Sequence, residues 1–271
     1  MTPALRSTTA SFWDAPYAAV RHPPIARRMV STTHPLATQA ALAMLAQGGN
    51  AVDAALAAAI ALVVVEPVST GLGSDLFALV GSDSGAEVLN ATGRAPMGWT
   101  EDVLSRWEKI PARGWNSVTV PGAVAGWLDL SRRYGKLDYA SLFAPALRYA
   151  EEGFVITPGM ATRWQVQVDE LASQPGFAQA FMPYGRAPRA GEHFRLEGLA
   201  RSLCEIAESR NASFYQGRLA ECLAADARLH GAHLTVADMA AHRNDWSQPL
   251  TSPLPATRCC SRGPTARASR C

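Results

Sequence analysis

The stretch His34–Val80, HPLATQAALAMLAQGGNAVDAALAAAIALVVVEPVSTGLGSDLFALV, decides the fold. It reads as helix, Gly-Gly-Asn break, second helix, Gly-rich turn and buried strand. Pro35 opens the first helix at a position where its missing N–H costs nothing. Ala41, Leu42, Met44, Leu45 and Ala46 fill the body of that helix, and Gly48 and Gly49 end it. Asn50 is placed to cap the second helix, with Asp53 in its first turn facing the positive end of the helix dipole. Ala54–Val65 carries no charge and is dominated by alanine. A helix so small and so apolar all round is built to lie deep in a core. At 12 residues that run is well short of the roughly 20 that span a bilayer.

Composition bounds the class of protein. The chain has 271 residues, 48% of them hydrophobic, and a net charge of +2. This is an ordinary globular composition, and so small a charge gives no reason to expect nucleic acid or a membrane surface as a partner. The opening MTPALRSTTASFWDAPYAAV has no apolar core segment, so no secretory signal and a cytoplasmic location are expected. The cysteines show no CxxC spacing, and Cys204 and Cys222 fall in helical patterns as expected buried thiols. The histidines show no HxxxH or HxH pairing, and no P-loop or dinucleotide fingerprint is present, so neither a metal nor a cofactor is expected.

Outside the central stretch, Ser11–Pro24 reads as an extended arm and Ala26–Thr33 as a first strand. Leu76–Val80 and Ala86–Asn90 are predicted to pair antiparallel through the polar turn Asp83–Gly85. Predicted helices follow at Thr100–Trp107, from Pro121 to Gly135, and at Tyr139–Glu152, Gly159–Leu171, Arg195–Glu208, Ser213–Leu229 and Thr235–Ala241. Strands early and helices late point to an α+β fold rather than a wound βαβ sheet.

Several motifs in this order resemble the gamma-glutamyltransferase family. They are HPLA, GGNAVDAALAAAIAL and VVEP in the central stretch, GRAP at Gly93–Pro96, VPGAVAGWLDLSRRYGKL at Val120–Leu137 and FAPALRYAEEGFVITP at Phe143–Pro158. The resemblance covers roughly residues 16–250. It implies an N-terminal-nucleophile (Ntn) hydrolase with an αββα sandwich, here incomplete because the small-subunit strands are missing. Such an enzyme uses the side chain of an N-terminal threonine as nucleophile and its freed α-amine as base. In the family that threonine opens the small subunit, beyond the last residue of this sequence. No catalytic residue is therefore expected within 1–250, and the implied partner is the missing small-subunit segment of the same precursor. Ser31-Thr32-Thr33-His34 resembles the family's small-subunit start, but its HPLA flank matches the N-terminal strand-to-helix turn instead.

The resemblance also implies a substrate contact. The family's large subunit supplies an arginine shortly before an Ala-Pro pair, which holds the α-carboxylate of the glutamyl group. A guanidinium fork suits that task because two parallel N–H donors meet two oxygens. Counted back from Ala95-Pro96, the usual position falls on Thr92, while Arg94 adjoins the pair, so both are candidates for binding a small acidic amide. Arg94 tying down a loop by a salt bridge is the competing reading. The NATGRAP form and GSD at Gly73–Asp75 look more like a divergent branch that includes oxamate amidohydrolase and related acylases. The Gly71–Asp75 turn approaches a ligand or simply lets a helix pack on a strand, and Asp75 is a candidate catalytic acid for which a single carboxylate is weak evidence.

After Leu250 the character changes. TSPLPATRCCSRGPTARASRC has four arginines, no acid and no period. It reads either as a disordered basic tail or as a frameshift product. Read one base out of frame, this stretch yields GPNGQG for a permitted choice of codons, in keeping with the family's proline-rich segment. The expected organisation is thus a large-subunit part at 1–250 and an aberrant tail at 251–271. Two functions follow: an amide-cleaving acyltransferase part that is inactive alone, or a non-catalytic remnant. A sheet without its partner strands is also expected to aggregate when expressed alone.

Overall fold

A computed structural model describes residues 26–254 and 257–261. Helix α1 (Pro35–Ala46) and helix α2 (Ala51–Val65) form the predicted hairpin. His34 caps α1, its Nδ1 accepting the Leu36 N–H at 3.2 Å. Gly48 takes φ +87° at the break, a conformation that favours glycine. The Asn50 side chain accepts the N–H groups of Val52 and Asp53, and the Asp53 carboxylate returns the favour to the Asn50 N–H at 2.9 Å. Asp53 is fully buried and does more than cap: it also accepts the N–H groups of Lys136 and Leu137, at 3.1 and 3.3 Å. Asn50 Nδ2 donates to the Tyr134 carbonyl at 2.6 Å. One buried carboxylate thus ties the start of α2 to the turn that follows helix α4 (Ala123–Tyr134).

Strands β1 (Leu76–Ser82) and β2 (Gly85–Ala91) pair antiparallel, from Leu76 opposite Ala91 to Ser82 opposite Gly85. Helix α3 (Glu101–Leu104) follows in the connection to α4. Helix α5 (Ala144–Glu152) packs against α2, and strand β3 (Phe154–Val155) leads to α6 (Pro158–Leu171) and α7 (Phe177–Phe181). Strand β4 (His193–Phe194) pairs with β3, and α8 (Glu197–Ser209), α9 (Ala212–Gln216), α10 (Arg218–Leu229) and α11 (Val236–Ala241) complete the helical part. Strand β5 (Asp245–Ser247) then adds to β2, giving the order β1-β2-β5. Strands β6 (Leu250–Leu254) and β7 (Thr257–Ser261) form a separate hairpin.

The core lies between this sheet and the helices laid on one face of it. Trp127, Leu89, Ile60, Phe143 and Trp164 are among its fully buried side chains. Burial is one-sided. Val88, Leu89 and Ala91 of β2 are buried, whereas Leu79 of β1 is 47% exposed. Between β1 and the Ala51, Ala55 and Ala59 face of α2 runs a groove of about 970 Å³. Among the described residues β1 pairs with β2 alone.

Some local expectations are corrected. Residues 26–33 are not a strand, since among the described residues no neighbouring strand pairs with them. Thr32 Oγ1 donates to the His34 carbonyl and meets Thr38 Oγ1, bending the chain into α1. The helix predicted over Ser213–Leu229 breaks at Gly217 into α9 and α10. The one predicted over Tyr139–Glu152 begins as a 3₁₀ turn, Ala140–Phe143, before α5. The Thr100–Trp107 helix stops at Leu104, without a side-chain bond from Thr100. Cys204 is half-buried and Cys222 exposed, because they fall toward the outer sides of amphipathic helices; Cys204 donates to Glu208 at 3.2 Å. The arm predicted at Ser11–Pro24 lies outside the described residues. Among the described residues no helix is long and apolar enough to cross a membrane.

The Asp53 tie yields a direct prediction. Asp53→Ala removes the acceptor of three part-buried N–H groups, so it should cost about 3 kcal/mol, read as a lowered urea midpoint. An unchanged midpoint would show that the carboxylate is not the tie.

Candidate functional site

Three loops meet at one end of the sheet: the turn before β1, the segment after β2 and the segment before α4. Backbone contacts register them, and the segments after β2 and before α4 are short of room at Gly93 and Gly122. The Gly71–Ser74 turn closes on itself, with Gly71 N–H donating to Ser74 Oγ and Ser74 N–H to the Gly71 carbonyl. The Ser74 carbonyl accepts the Ala123 N–H at 2.9 Å, fixing the first turn of α4. Asp75 Oδ1 accepts the Gly93 N–H at 2.9 Å, so this carboxylate positions a loop. A Cβ on Gly93 would lie 1.6 Å from the Val120 carbonyl oxygen, and one on Gly122 would lie 2.1 Å from that of Ala91. Only glycine admits so close an approach of backbones.

The two sequence candidates sit on this clamp with different freedom. The Thr92 N–H and hydroxyl both donate to Asn90 Oδ1, at 3.1 and 2.6 Å, so the hydroxyl proton is already placed. Arg94 is held by its backbone, its carbonyl accepting the Val120 N–H at 3.0 Å. Its side chain is 66% exposed and reaches Asp245 Oδ1 from Nη2 at 3.7 Å. The guanidinium thus springs from a held backbone and is open to solvent.

Beneath it lies a cluster that sequence reasoning missed. The His242 ring stacks on Tyr215, with centroids 5.7 Å apart and planes at 11°. Its Nε2 is 3.0 Å from Asn244 Oδ1, and Asn244 Nδ2 donates to Asp129 at 2.6 Å. Its buried Nδ1 has no hydrogen-bond partner among the described residues. Burial lowers the His242 pKa, and the Arg94 and Arg243 cations add to that, while the Asn244 bond and Asp129 act in the opposite direction. Tyr215 donates to the Pro121 carbonyl at 2.8 Å and accepts the Ala125 N–H at 2.9 Å, and burial pushes its phenol far above the usual range. In HRNDW no spacing announces this cluster; only the pairing of β5 with β2 brings it to Arg94.

Ser31–His34 is spent on starting α1, with His34 as its buried cap. Burial lowers the His34 pKa too, against the opposing effect of Glu66. Among the described residues no three His, Cys, Asp or Glu side chains converge closely enough to hold a metal ion.

The two buried imidazoles give a pH prediction. Both fold in with pKa values below the 6.5 of a free histidine, so below about pH 6.5 the unfolded chain binds more protons and stability falls with pH. The urea midpoint should therefore drop between pH 7.5 and pH 5.5, with a slope of at most about 1.4 kcal/mol per pH unit for each histidine. His242→Gln should remove part of that drop. A flat profile, or a variant keeping the whole drop, would contradict the burial account of His242.

With the geometry in place, comparisons with known proteins agree on one family. Residues 37–268 match the family model described as Gamma-glutamyltranspeptidase. The chain is 38% identical over 229 residues to the glutathione hydrolase-like YwrD proenzyme of Bacillus subtilis, covering 83% of this chain and 44% of that protein. It is 39% identical over 232 residues to the oxamate amidohydrolase proenzyme of Klebsiella pneumoniae, covering 82% and 44%. Among solved structures, cephalosporin acylase from Bacillus halodurans superposes with a TM-score of 0.81 at 40% identity, over 90% of this chain and 49% of that one. Helicobacter pylori gamma-glutamyltranspeptidase superposes at 0.83 with 28% identity, over 90% and 72%. The chain spans less than half the length of these two curated relatives. Helices laid on one face of an antiparallel sheet, the clamped Arg94 loop and these matches lead to one conclusion: the chain belongs to the gamma-glutamyltranspeptidase family of Ntn hydrolases.

Proposed function

We propose that this chain is the large-subunit part of a precursor that cleaves the amide of a small acidic acyl group and passes the acyl to water or an amine. The observation that carries this reading is Arg94, a solvent-open guanidinium on a backbone that cannot shift. Such a group binds and orients a carboxylate but supplies no nucleophile. The attacking threonine, its α-amine base and the oxyanion donors then come from the small-subunit segment of the same precursor. We place that segment at the groove between β1 and α2, because apolar strand side chains beside a small-residue helix face suit an added apolar element. Residues 251–271 are, on this reading, an aberrant tail outside the working part. The free thiols of Cys204 and Cys222 favour a reducing compartment, the cytoplasm.

Glutathione-type and oxamate-type amides are both candidates. Arg94 directly before Ala95-Pro96, and a relative named oxamate amidohydrolase at 39% identity, favour the smaller acid. Purified chain should release neither p-nitroaniline from a γ-glutamyl anilide nor ammonia from oxamate. Co-expressed with the C-terminal half of either curated relative, it should turn over one of the two, and Arg94→Gln should lower kcat/KM about 100-fold, roughly 3 kcal/mol. Turnover by the chain alone, or an acyl adduct on one of its own side chains, would overturn the proposal.

A further inference from the structure

A cavity of about 310 Å³ lies where the turn before β1 and the segment before α4 meet helices α8, α9 and α10. Pro121 and Phe214 are its buried walls, and Leu72, Leu219 and Leu223 add half-buried apolar side chains. Protein interiors leave few voids larger than a water molecule. An apolar cavity of ~150 Å³ already takes up benzene, so this one has room for a ring and a short chain.

The polar groups at its open side favour one sign of charge. Trp115 and Asp226 both line the cavity, and the indole Nε1–H donates to Asp226 Oδ2 at 2.8 Å. Ring and carboxylate are therefore held side by side. Asp226 is 51% exposed, and its Oδ1 takes no hydrogen bond among the described residues. His230 Nδ1 comes only to 3.5 Å of that carboxylate and is spent on the Asp226 carbonyl at 2.9 Å. Arg218 stands 3.8 Å from the Cys222 sulfur, but its guanidinium is bonded to the Glu205 carboxylate. A carboxylate beside an aromatic face attracts an ammonium by its own charge and through the ring. The apolar walls, in turn, favour a hydrocarbon body over a fully hydrated ion.

We propose that this cavity is a binding site for small organic ammonium ions with an apolar body, such as phenethylammonium. The hydrocarbon part lies against Leu72, Phe214, Leu219 and Leu223, and the ammonium donates to Asp226 Oδ1 beside the Trp115 ring. Cys222 also lines the cavity and is exposed, so an occupant covers its thiol, whereas Cys204 of α8 is not among the walls. Nothing in this site depends on the role given to Arg94.

The test titrates the 271-residue chain with phenethylammonium, neutral 2-phenylethanol and anionic 3-phenylpropionate, which share a phenylethyl body and differ in charge. The Nε1–H resonance of Trp115 reports binding. Alkylation of Cys222 by N-ethylmaleimide, read by peptide mass spectrometry against Cys204, reports the place. Phenethylammonium should bind with a Kd of about 1 mM, about ten times more tightly than the alcohol, and the anion should bind most weakly. At about 5 mM it should slow alkylation of Cys222 about fivefold and leave Cys204 unchanged. Asp226→Asn keeps an acceptor for the indole and removes the charge, so it should bring phenethylammonium down to the affinity of the alcohol. No shift of the Trp115 resonance, or equal affinity for ammonium and alcohol, overturns the proposal. So does a preference that survives Asp226→Asn, or protection of Cys204 equal to that of Cys222.

Discussion

Strand β1 is the constraint on which the rest of the structure turns. It carries Leu76, Ala78, Leu79 and Val80, residues that belong inside a protein, yet none of them is fully buried. Among the described residues its one ladder is with β2, and it lines the groove against α2. Apolar surface left in water costs about 25 cal/mol for each Å². The α2 face beside it is Ala51, Ala55 and Ala59, with side chains small enough to let another backbone come close. The coverage of less than half of the curated relatives fits the same picture.

What fastens the helices to one another and to the sheet is a set of polar ties as well as the core. Asp53 gathers the Asn50, Lys136 and Leu137 N–H groups, and Asn50 reaches the Tyr134 carbonyl, joining α2 to the end of α4. At the opposite end of α4, the Ser74 carbonyl takes the Ala123 N–H, and the Asp75, Gly93 and Val120 contacts fasten the loops. Arg94 is anchored by this second set. Its position is therefore a consequence of how α4 packs against β1 and β2.

Much of this was legible in the sequence. The α1–α2 break, the Asn50 cap, the β1–β2 hairpin and the Thr235–Asp238 capping box all follow local rules, and the structure has them where those rules put them. The failures share a cause. Residues 26–33 have strand-like chemistry, but a strand is defined by a neighbour and none of the described residues supplies one. Gly217, within the helix predicted over Ser213–Leu229, divides α9 from α10. Arg94 was singled out from its motif as a candidate, whereas Asp245 and His242 lie about 150 residues later and come near it only through the β2–β5 ladder. Long-range pairing of that kind leaves no periodicity to read.

Hydrogen exchange along Leu76–Ser82 tests the central claim most directly. If the chain is a platform completed at β1, the outward-facing amides of β1 exchange at loop-like rates in the isolated chain, while those of β2 are protected. Adding the C-terminal half of a relative should then slow the β1 amides at least tenfold. Protection of β1 equal to that of β2 in the chain alone, or restored turnover with no change at β1, would contradict the account.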